Sequence, residues 1–337
     1  MENDAIRIAI TIDTEEDNQW GSSKIKTTEN INYLPRFQNL CERYDLKPTY
    51  LCTYGVVNSK EFPKVINPIL ERGSCEIGSH LHAWSNPPFD SIFSDKLSTH
   101  YYPHELSISM FQKKMEILTD LILDKTSVNP KSYRAGRWGF DVTHISVLLD
   151  LGYVVDCSVT PLVSWQNKMG LKEGGPNYKN APLDPYYLNP DNINVKANSG
   201  LLEVPVTILY TNYILRKSKY LQEFIELQKH KLVGRIIRKV FNAEPQWFRP
   251  FPYMDKNRLI DVCDTAIEFN LPVLIMMFHS SELMPGGSPY NKTAKAVDEL
   301  YDKLESVFKY VVENRGGIGI TLTGLASIYH GKQGDLV

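Results

Sequence analysis

The chain has 337 residues, of which 42% are hydrophobic and 23% are charged, and its formal net charge is −2. This composition is typical of a globular protein that is long enough for one large barrel or two modest domains. The nearly neutral charge balance argues against a polyanion such as nucleic acid as the main partner. No uncharged apolar stretch approaches the ~20 residues that a transmembrane helix needs.

The cysteines and the N-terminal residues both indicate a reduced, cytoplasmic protein. The five cysteines are scattered, without the paired spacing of a metal site, and most lie in apolar runs. The first residues lead directly into a strand-like run, without a basic segment followed by an apolar one, so we expect no secretory signal. A cytoplasmic location follows as a prediction.

The predicted elements alternate between strands and helices along most of the chain. Apolar and β-branched runs predict strands at 6–12, 48–54, 75–80, 152–158, 201–209, 272–278 and 318–322. Helical spacing predicts helices at 33–44, 62–71, 107–123, 142–151, 220–241, 256–269, 293–314 and 325–329. This alternation predicts parallel strands covered by helices, in a barrel or a doubly wound sheet. Residues from about 161 to 200 are rich in Gly, Pro and Asn, which predicts an irregular insertion within a single domain spanning 1–337.

Two histidines alternate at the end of the predicted strand 75–80. Because residues i and i+2 of a strand point to the same face, His80 and His82 can converge on one point. Two such imidazoles are half of a typical transition-metal site. The same pattern also occurs in surface and packing histidines, so the pair alone leaves both interpretations open.

Polar side chains follow other predicted strands as well. Residues 13–17 contain four acids directly after the buried strand 6–12, where α/β folds place functional side chains. The ends of further strands carry Arg134, Arg137, Asp156 and His279. One carboxylate and two imidazoles with an open position are the ligand set of a catalytic Zn²⁺ or a related ion. With a further carboxylate as base and a further histidine as acid, this inventory predicts metal-assisted hydrolysis of an amide or ester.

Four short motifs stand at these predicted strand ends. They are TIDTE at 11–15, EIGSHLH at 76–82, YRAGR at 133–137 and MMFHS at 276–280. In order and spacing they resemble the motifs of the NodB-like polysaccharide deacetylases, carbohydrate esterase family four, over roughly residues 6–322. The resemblance implies a distorted (β/α) barrel with about seven parallel strands. It also implies an activity that removes acetyl groups, usually from N-acetylated sugars, with a divalent metal.

The resemblance implies a role for each residue that matches these motifs. Asp13, the first acid after the first strand, matches the general base, and Arg134 matches the arginine that pairs with this base. Glu15 matches the metal carboxylate, with Glu16 as the alternative because the acidic run does not fix the register. His80 matches the first metal histidine.

Three further assignments complete the implied site. His279 matches the late histidine that acts as general acid, and Asp156 is assigned as the group that orients it. His82 takes the place of the second metal histidine. The family commonly spaces its two metal histidines four residues apart, a position that is Trp84 in this chain.

The third motif also departs from the family pattern. The family usually reads Arg-x-Pro followed by an aromatic residue, whereas Gly136 and Arg137 occupy those places here. The backbone N–H of residue 137 remains available to bind an oxyanion. We interpret the guanidinium of Arg137 either as a recognition group for a phosphate or carboxylate of the substrate, or as the partner of an acid within 15–17.

Several aromatic side chains are candidates for the wall of a sugar-binding cavity. They are Trp84, Tyr101, Tyr102, Trp138 and Trp165. We assign Trp84 and Trp138, together with Arg137, to substrate binding, although aromatic residues in loops also serve simply to pack. We interpret the remaining histidines, His100, His104, His144, His230 and His330, as structural or surface residues.

These residues together predict a metal-dependent hydrolase that removes an acyl group, with acetyl expected, from an N-acylated sugar. We expect Zn²⁺ as the cofactor, with Ni²⁺ and Co²⁺ as alternatives, and a small-molecule, nucleotide-linked or lipid-linked sugar as the substrate. The alternatives are a hydrolase of a non-sugar amide and a catalytically silent carbohydrate-binding barrel. The run 229–240 has a basic and an apolar face, as a membrane-surface helix or an outer barrel helix has.

Overall fold

The computed structural model describes residues 5–19, 27–89, 100–228, 231 and 243–334. The described strands are β1 Arg7–Thr14, β2 Thr49–Cys52, β3 Glu76–Leu81, β4 Ser132–Ala135, β5 Val155–Asp156, β6 Tyr186–Asn189, β7 Asn192–Ala197, β8 Leu202–Glu203, β9 Ile208–Leu209, β10 Gln246–Trp247, β11 Val273–His279 and β12 Ile318–Gly319. The described α-helices are α1 Leu34–Glu42, α2 Tyr54–Val57, α3 Phe62–Glu71, α4 Ile108–Thr126, α5 His144–Asp150, α6 Tyr213–Lys217, α7 Lys219–Leu227, α8 Lys256–Glu268, α9 Ala294–Lys309 and α10 Leu322–Gly334.

Seven strands form a curled parallel sheet in the order β11–β1–β2–β3–β4–β5–β8. This arrangement confirms the predicted distorted barrel of about seven parallel strands with flanking helices. The hairpin β6–β7 joins the sheet antiparallel to β8, and β12 pairs with the start of β1.

The adjacent strands β1 and β11 are those that the sequence predicts most clearly. Residues 8–14 of β1 and 273–278 of β11 are buried along their whole length, as expected for parallel strands covered on both faces. Their register places Asp13 directly opposite His279. The carboxyl ends of β1, β3, β4, β5 and β11 therefore meet at one edge, where the polar residues of the motifs lie.

The barrel is distorted on the side between β8 and β11. No regular ladder joins these two strands among the described residues; instead, the N–H of Thr207 donates to the carbonyl of Ile275 (3.2 Å) and the N–H of Ile275 donates to Oγ1 of Thr207 (2.8 Å). Pro205 lies between β8 and β9 and has no N–H to donate to a ladder. The single strand predicted at 201–209 is therefore wrong, and two short strands are found.

Two other predicted segments differ from the structure. The insertion 161–200 is not irregular throughout, because residues 186–197 form the β6–β7 hairpin. The long helix predicted at 220–241 begins at Lys219 and α7 ends at Leu227. The basic run 229–240 lies, except for residue 231, outside the described residues. No helix in the described ranges has the length and apolar character needed to span a membrane.

Candidate active site

Glu15, His80 and His82, the three residues assigned to a metal, lie together at the carboxyl edge of the sheet. Nε2 of His82 is 3.0 Å from Nε2 of His80 and 3.2 Å from Oε2 of Glu15, and Nε2 of His80 is 3.9 Å from the same oxygen. All three side chains are buried. Ligands of one tetrahedral Zn²⁺ at about 2.0–2.2 Å from the ion stand about 3.3–3.6 Å apart. The three groups can therefore hold one metal ion.

Strand geometry and one glycine bring His82 to this position. His80 is the penultimate residue of β3, and His82 follows its end, so the two rings point to the same side. Gly136, just after β4, lies so close that an added Cβ would stand 2.5 Å from the carbonyl oxygen of Leu81 and 2.8 Å from Cδ2 of His82. Only glycine allows this approach without displacing the ligand.

The two imidazoles have the protonation state that a metal requires. Nδ1 of His80 lies 3.0 Å from the carbonyl oxygen of Arg134, which assigns the proton to Nδ1 and leaves the lone pair of Nε2 facing Glu15. Nδ1 of His82 is a buried atom without a hydrogen-bond partner in the described part of the chain. Burial lowers the pKa of His80 to about 3 and that of His82 to about 4, so both rings are neutral at pH 7.

Glu15 shows that this cluster suits a positive charge. Burial, with Asp13 and Glu16 nearby, raises the pKa of Glu15 to about 8, although His279 and Arg249 act in the opposite direction. A carboxylate in such surroundings is ionised at neutral pH when a cation offsets the cost of desolvation. The donor set of one carboxylate and two neutral imidazoles thus fits a divalent transition metal.

Asp13, on β1, is held by a fully buried arginine from β4, which lies three strands away in the curled sheet. Its Oδ1 accepts a hydrogen bond from Nη1 of Arg134 at 2.5 Å, while Nη2 and Nε of Arg134 donate to Oγ1 of Thr11 (2.8 Å) and to the carbonyl of Cys157 (3.0 Å). Burial alone raises the pKa of Asp13, but Arg134, together with His80 and His279, outweighs it and holds the pKa well below its usual range. Asp13 is therefore an ionised carboxylate.

His279 completes the ring of polar groups. Its Nε2 lies 3.8 Å from Oδ2 of Asp13 and 3.9 Å from Oε1 of Glu15. Its Nδ1 lies 3.0 Å from Oε1 of Glu282, which also accepts hydrogen bonds from the backbone N–H of His279 (3.1 Å) and from Nη2 of Arg249 (2.7 Å). Nη2 of Arg249 lies 3.0 Å from the same Nδ1. When Nδ1 carries a proton, its acceptor is Glu282.

The prediction that Asp156 orients His279 is wrong. The carboxylate of Asp156 accepts hydrogen bonds from the hydroxyl (2.6 Å) and the backbone N–H (3.2 Å) of Ser158. It also faces Glu203, its partner in register on β8. Glu282, only three residues after His279, provides the carboxylate that the prediction sought elsewhere.

Only some of the acids at 13–17 lie in the site. Glu15 alone of residues 15–17 enters the cluster. Oε2 of Glu16 accepts hydrogen bonds from Gln19 (2.7 Å) and Thr53 (3.0 Å), and Oδ2 of Asp17 accepts two from the segment 27–29. The alternative metal ligand Glu16 is thus engaged by Gln19 and Thr53, and it is not one of the three residues whose ligand atoms converge.

A cavity of about 490 Å³ opens over these groups. Its wall includes the predicted Trp84, Trp138 and Arg137, and a majority of its other members are aromatic or cationic: His100, Tyr102, Trp165, Lys168, Trp247, Arg249, Phe251 and Tyr290. Trp84 stacks on His82 at 4.3 Å and on His100 at 4.5 Å between ring centroids. His100, interpreted above as structural or surface, is therefore part of the cavity wall.

Arg137 is engaged by the wall itself. Its guanidinium donates to the carbonyl of His100, to the hydroxyl of Tyr102 (3.2 Å) and to the carbonyl of Met169 (3.1 Å), and it lies over the ring of Tyr102. The pairing with an acid within 15–17 is not found among the described residues. Arg137 and Trp138 both adopt positive φ, 53° and 64°, which turns the chain sharply after β4. Recognition of an anionic substrate group by Arg137 stays a prediction.

Sequence reasoning missed Glu282 and Arg249 at the site itself. Glu282 had a detectable signal, because its spacing of three from His279 allows a local hydrogen bond. Arg249 had none, since it follows the two-residue strand β10 and lies between Pro245 and Pro250 in a stretch without periodicity. Trp247, Phe251 and Tyr290 also line the cavity, and the guanidinium of Arg249 lies over the rings of Phe251 and Tyr290.

Solved structures share this architecture at low sequence identity. A protein assigned as a polysaccharide deacetylase from Mycobacterium smegmatis is 13% identical, with a TM-score of 0.51 over 98% of this chain and 92% of that one. A protein assigned as a glycoside hydrolase/deacetylase from Parabacteroides distasonis is 12% identical, with a TM-score of 0.60 over 96% of this chain and 71% of that one. The chain has the polysaccharide deacetylase fold.

The polysaccharide deacetylase fold also occurs in an allantoinase, which is 13% identical with a TM-score of 0.52 over 97% of this chain and 90% of that one. No family model and no curated protein matches the sequence. At these identities the likeness concerns the fold alone. Any activity must therefore be argued from the residues of this chain.

Proposed function

We propose that the protein is a metal-dependent hydrolase that removes an acetyl group from an N-acylated sugar. The observation that carries the proposal is the convergence of Glu15, His80 and His82 with an ionised Asp13 and with His279 in one cavity. A divalent ion held by Glu15, His80 and His82, with Zn²⁺ favoured by the donor set, supplies polarisation of the acyl carbonyl and activation of water when bound.

Asp13 is the general base in this proposal. Arg134 binds its Oδ1, while Oδ2 lies within 4.0 Å of both His80 and His279 and so faces the cavity. An ionised carboxylate in this position takes the proton of the attacking water. The backbone N–H of residue 137, in the turn after β4, is the proposed donor to the oxyanion.

His279 is the general acid. Glu282 orients its ring through Nδ1, so that Nε2 faces Asp13 and Glu15. The ring donates a proton to the nitrogen of the amide as the carbon–nitrogen bond breaks, which releases the amine and the carboxylic acid. The aromatic wall suits the apolar faces of a sugar ring, and Trp84 and Trp138 are the proposed stacking residues.

A second candidate is hydrolysis of a non-sugar amide by the same residues. A protein named as an allantoinase, rather than as a carbohydrate enzyme, has this fold. The base, the acid and the metal ligands serve either reaction, and only the wall of the cavity selects the substrate.

Acetate release from a panel of N-acetyl sugars and non-sugar amides, with Zn²⁺-loaded protein, tests the proposal. We expect release from at least one sugar and a fall in kcat of about 10²–10⁴-fold in Asp13→Asn, because the base is lost while the size is kept. Asp124→Asn is the matched control, since the side chain of Asp124 is 68% exposed on α4. Release from non-sugar amides alone would select the second candidate, and zinc binding without turnover would indicate a silent binding barrel.

A further inference from the structure

Residues 163–178 form a hairpin, which we name the wall hairpin, that supplies part of the cavity over the metal cluster. Its two arms pair through antiparallel bridges, and the N–H of Trp165 donates to the carbonyl of Pro176 (2.9 Å). Trp165 and Lys168, both on the first arm, line the cavity. None of the four sequence motifs includes this segment. Its contribution to the cavity therefore depends on contacts outside the motifs.

The buried carboxylate of Glu105 fastens the tip of the wall hairpin. It accepts hydrogen bonds from the backbone N–H groups of the three successive residues 171–173, at 3.1, 2.6 and 3.2 Å. The backbone N–H of Tyr102 donates to the same carboxylate at 2.7 Å. Although burial raises the pKa of Glu105, these four N–H groups hold the pKa below its usual range. A charged group thus holds the tip against the segment 100–105.

Lys168 is fixed through its backbone, while its side chain is exposed. Its carbonyl accepts a hydrogen bond from the hydroxyl of Tyr102 (2.7 Å), and its N–H donates to the carbonyl of Trp165 (2.8 Å). No acidic side chain of the described residues forms an ion pair with its ammonium group. The backbone of this residue is therefore held in place, and its charge is available to a ligand in the cavity.

The two arginines of the cavity wall are already bound. Arg137 donates to two backbone carbonyls and a hydroxyl, and Arg249 donates to Oε1 of Glu282 (2.7 Å). Among the wall residues that the structure describes, the only acids are Asp13 and Glu15, which belong to the site at the metal cluster. The rest of the wall is therefore aromatic and positively charged. A cation beside apolar rings attracts an anion more strongly than one in open water does.

We propose that Lys168 is a specificity-determining residue that binds an acidic group of the substrate, a carboxylate or a phosphate, and that Glu105 is its positioning residue. The lysine ammonium is a compact charge on a flexible stem, so it can reach either anion. Trp165, in the same wall, offers an aromatic surface to the ring that carries the acid. The identity of the substrate as an N-acylated sugar rests on the proposed function, and the inference narrows that class to acidic sugars. Anion binding by Lys168 requires no turnover.

Calorimetric titration of the zinc-loaded full chain tests anion binding with probes that carry no acyl group and are therefore not turned over. The probes are glucuronic acid, glucose 6-phosphate and neutral glucose, so the two acids distinguish a carboxylate from a phosphate. We expect at least one acid to bind, and its affinity to fall about tenfold in Lys168→Met, because a hydrogen bond to a charged group is lost. Lys172→Met is the matched control, since it removes the same charge from the exposed tip outside the cavity wall, and it should bind as the wild type does. High salt should weaken the binding of the acid to the wild type.

Steady-state kinetics extends the test to N-acetylglucosamine and to its 6-phosphate and uronic acid forms. Lys168→Met should raise KM about tenfold for an acidic form and leave kcat unchanged, because the acidic group is bound equally before and during the reaction. KM for N-acetylglucosamine itself should not change. Glu105→Gln should raise KM in the same direction, with faster hydrogen exchange at the N–H groups of residues 171–173. In the Lys168→Met background, Glu105→Gln should cause no further rise.

Equal affinities of the wild type and Lys168→Met for both acids would overturn the proposal, as would a failure of both acids to bind the wild type. An equal loss in Lys168→Met and Lys172→Met would overturn it too, because it would indicate only a long-range effect of charge. A loss in Glu105→Gln that is the same for neutral and acidic sugars would show that Glu105 supports the fold rather than Lys168. Lys168-dependent binding of an acid without acetate release would contradict the proposed function alone, whereas acetate release that Lys168→Met does not alter would contradict the role of Lys168 alone.

Discussion

Glu282 fixes the ring of His279, because its Oε1 is the acceptor at Nδ1 and also binds Arg249. Its side chain is fully buried. Although burial raises the pKa of this carboxyl, Arg249 and the contacts with His279 hold it below its usual range. A carboxylate at this place controls the direction of the histidine ring.

Glu282→Gln should lower kcat/KM for acetate release by about 10–100-fold, the usual cost of losing an outer partner that orients a functional histidine. The amide keeps the size but leaves Arg249 without its counter-charge. Steady-state kinetics measures the loss, and unchanged zinc content separates it from damage to the ligands. Glu299→Gln on α9, with a side chain 65% exposed, is the control. Full activity of Glu282→Gln would show that His279 needs no orienting carboxylate.

Asp156 and Glu203 predict a pH dependence of stability. Both are fully buried, face each other on β5 and β8, and have pKa values raised by burial first of all. A carboxyl whose pKa is raised on folding contributes stability below its unfolded pKa of about 4 and loses it as pH rises through the folded value. The pair should therefore destabilise the fold progressively above about pH 5.

Glu203→Gln should flatten this dependence, because an amide mimics the protonated acid. Urea unfolding at pH 5, 6.5 and 8 measures it. The free energy of unfolding of the wild type should fall more steeply than that of the variant, by up to ~1.4 kcal/mol per pH unit for one proton. Parallel slopes would mean that the pair already loses its proton at the lowest of these pH values.

At the scale of elements, long buried strands were predictable and short irregular ones were not. The strand predicted at 272–278 is found at Val273–His279. Its short, continuous apolar run is typical of a buried strand. The hairpin β6–β7 was missed because Asn and Pro residues around its turn hid the strands on either side. The ribbon β9–β10, with two residues in each strand, is too short for any periodic signal. Arg249, which follows β10, was therefore not predicted as a site residue either.

The turn after β4 is the element that fastens the cavity wall. Because Arg137 already binds the carbonyls of His100 and Met169 and the hydroxyl of Tyr102, its removal loosens the loops at 100–102 and 165–175 together. We expect Arg137→Ala to lower kcat/KM about tenfold on neutral and on anionic sugars alike, in line with the loss of charged hydrogen bonds.

Paired assays on a neutral N-acetyl sugar and its uronic or phosphorylated counterpart measure this effect. Arg137→Lys is the control, because it keeps the charge but loses the planar fork of donors, and we expect it to behave like Arg137→Ala. A loss confined to the anionic substrate, rescued by lysine, would instead establish Arg137 as a recognition group.

At the scale of the whole molecule, the position of the motif residues was predictable because the sheet topology brings them to one edge. The motifs supplied Asp13, Glu15, His80, His82, Arg134 and His279, and parallel strands bring their carboxyl ends to one edge. The spacing of residues did not reveal which side chains hydrogen-bond to the site residues. The partner of His279 was therefore predicted to be Asp156 instead of Glu282. Loop residues of the wall have no periodic signal, and they account for most of what remained unpredicted.

Zinc should stabilise the whole fold, because only the folded chain holds Glu15, His80 and His82 within 4.8 Å of one another. At one hundred times the dissociation constant, a ligand adds about 2.7 kcal/mol, which corresponds to a rise in Tm of roughly 4 °C. Thermal unfolding with added Zn²⁺ measures the rise, with Mg²⁺ as the oxygen-preferring control ion. His82→Ala should abolish it and His330→Ala should not; an equal rise in both variants would place the bound zinc elsewhere.

The register of β1 against β11 has a consequence for synthesis on the ribosome. Asp13 and His279 are neighbours across a ladder, yet β1 is translated long before β11. Until β11 emerges, an apolar strand of the nascent chain has one unsatisfied edge, which is the kind of surface that chaperones bind. A stalled or shortened chain that lacks β11 therefore lacks His279 beside Asp13. Under the proposed function, such a chain has no general acid next to its base until late in translation.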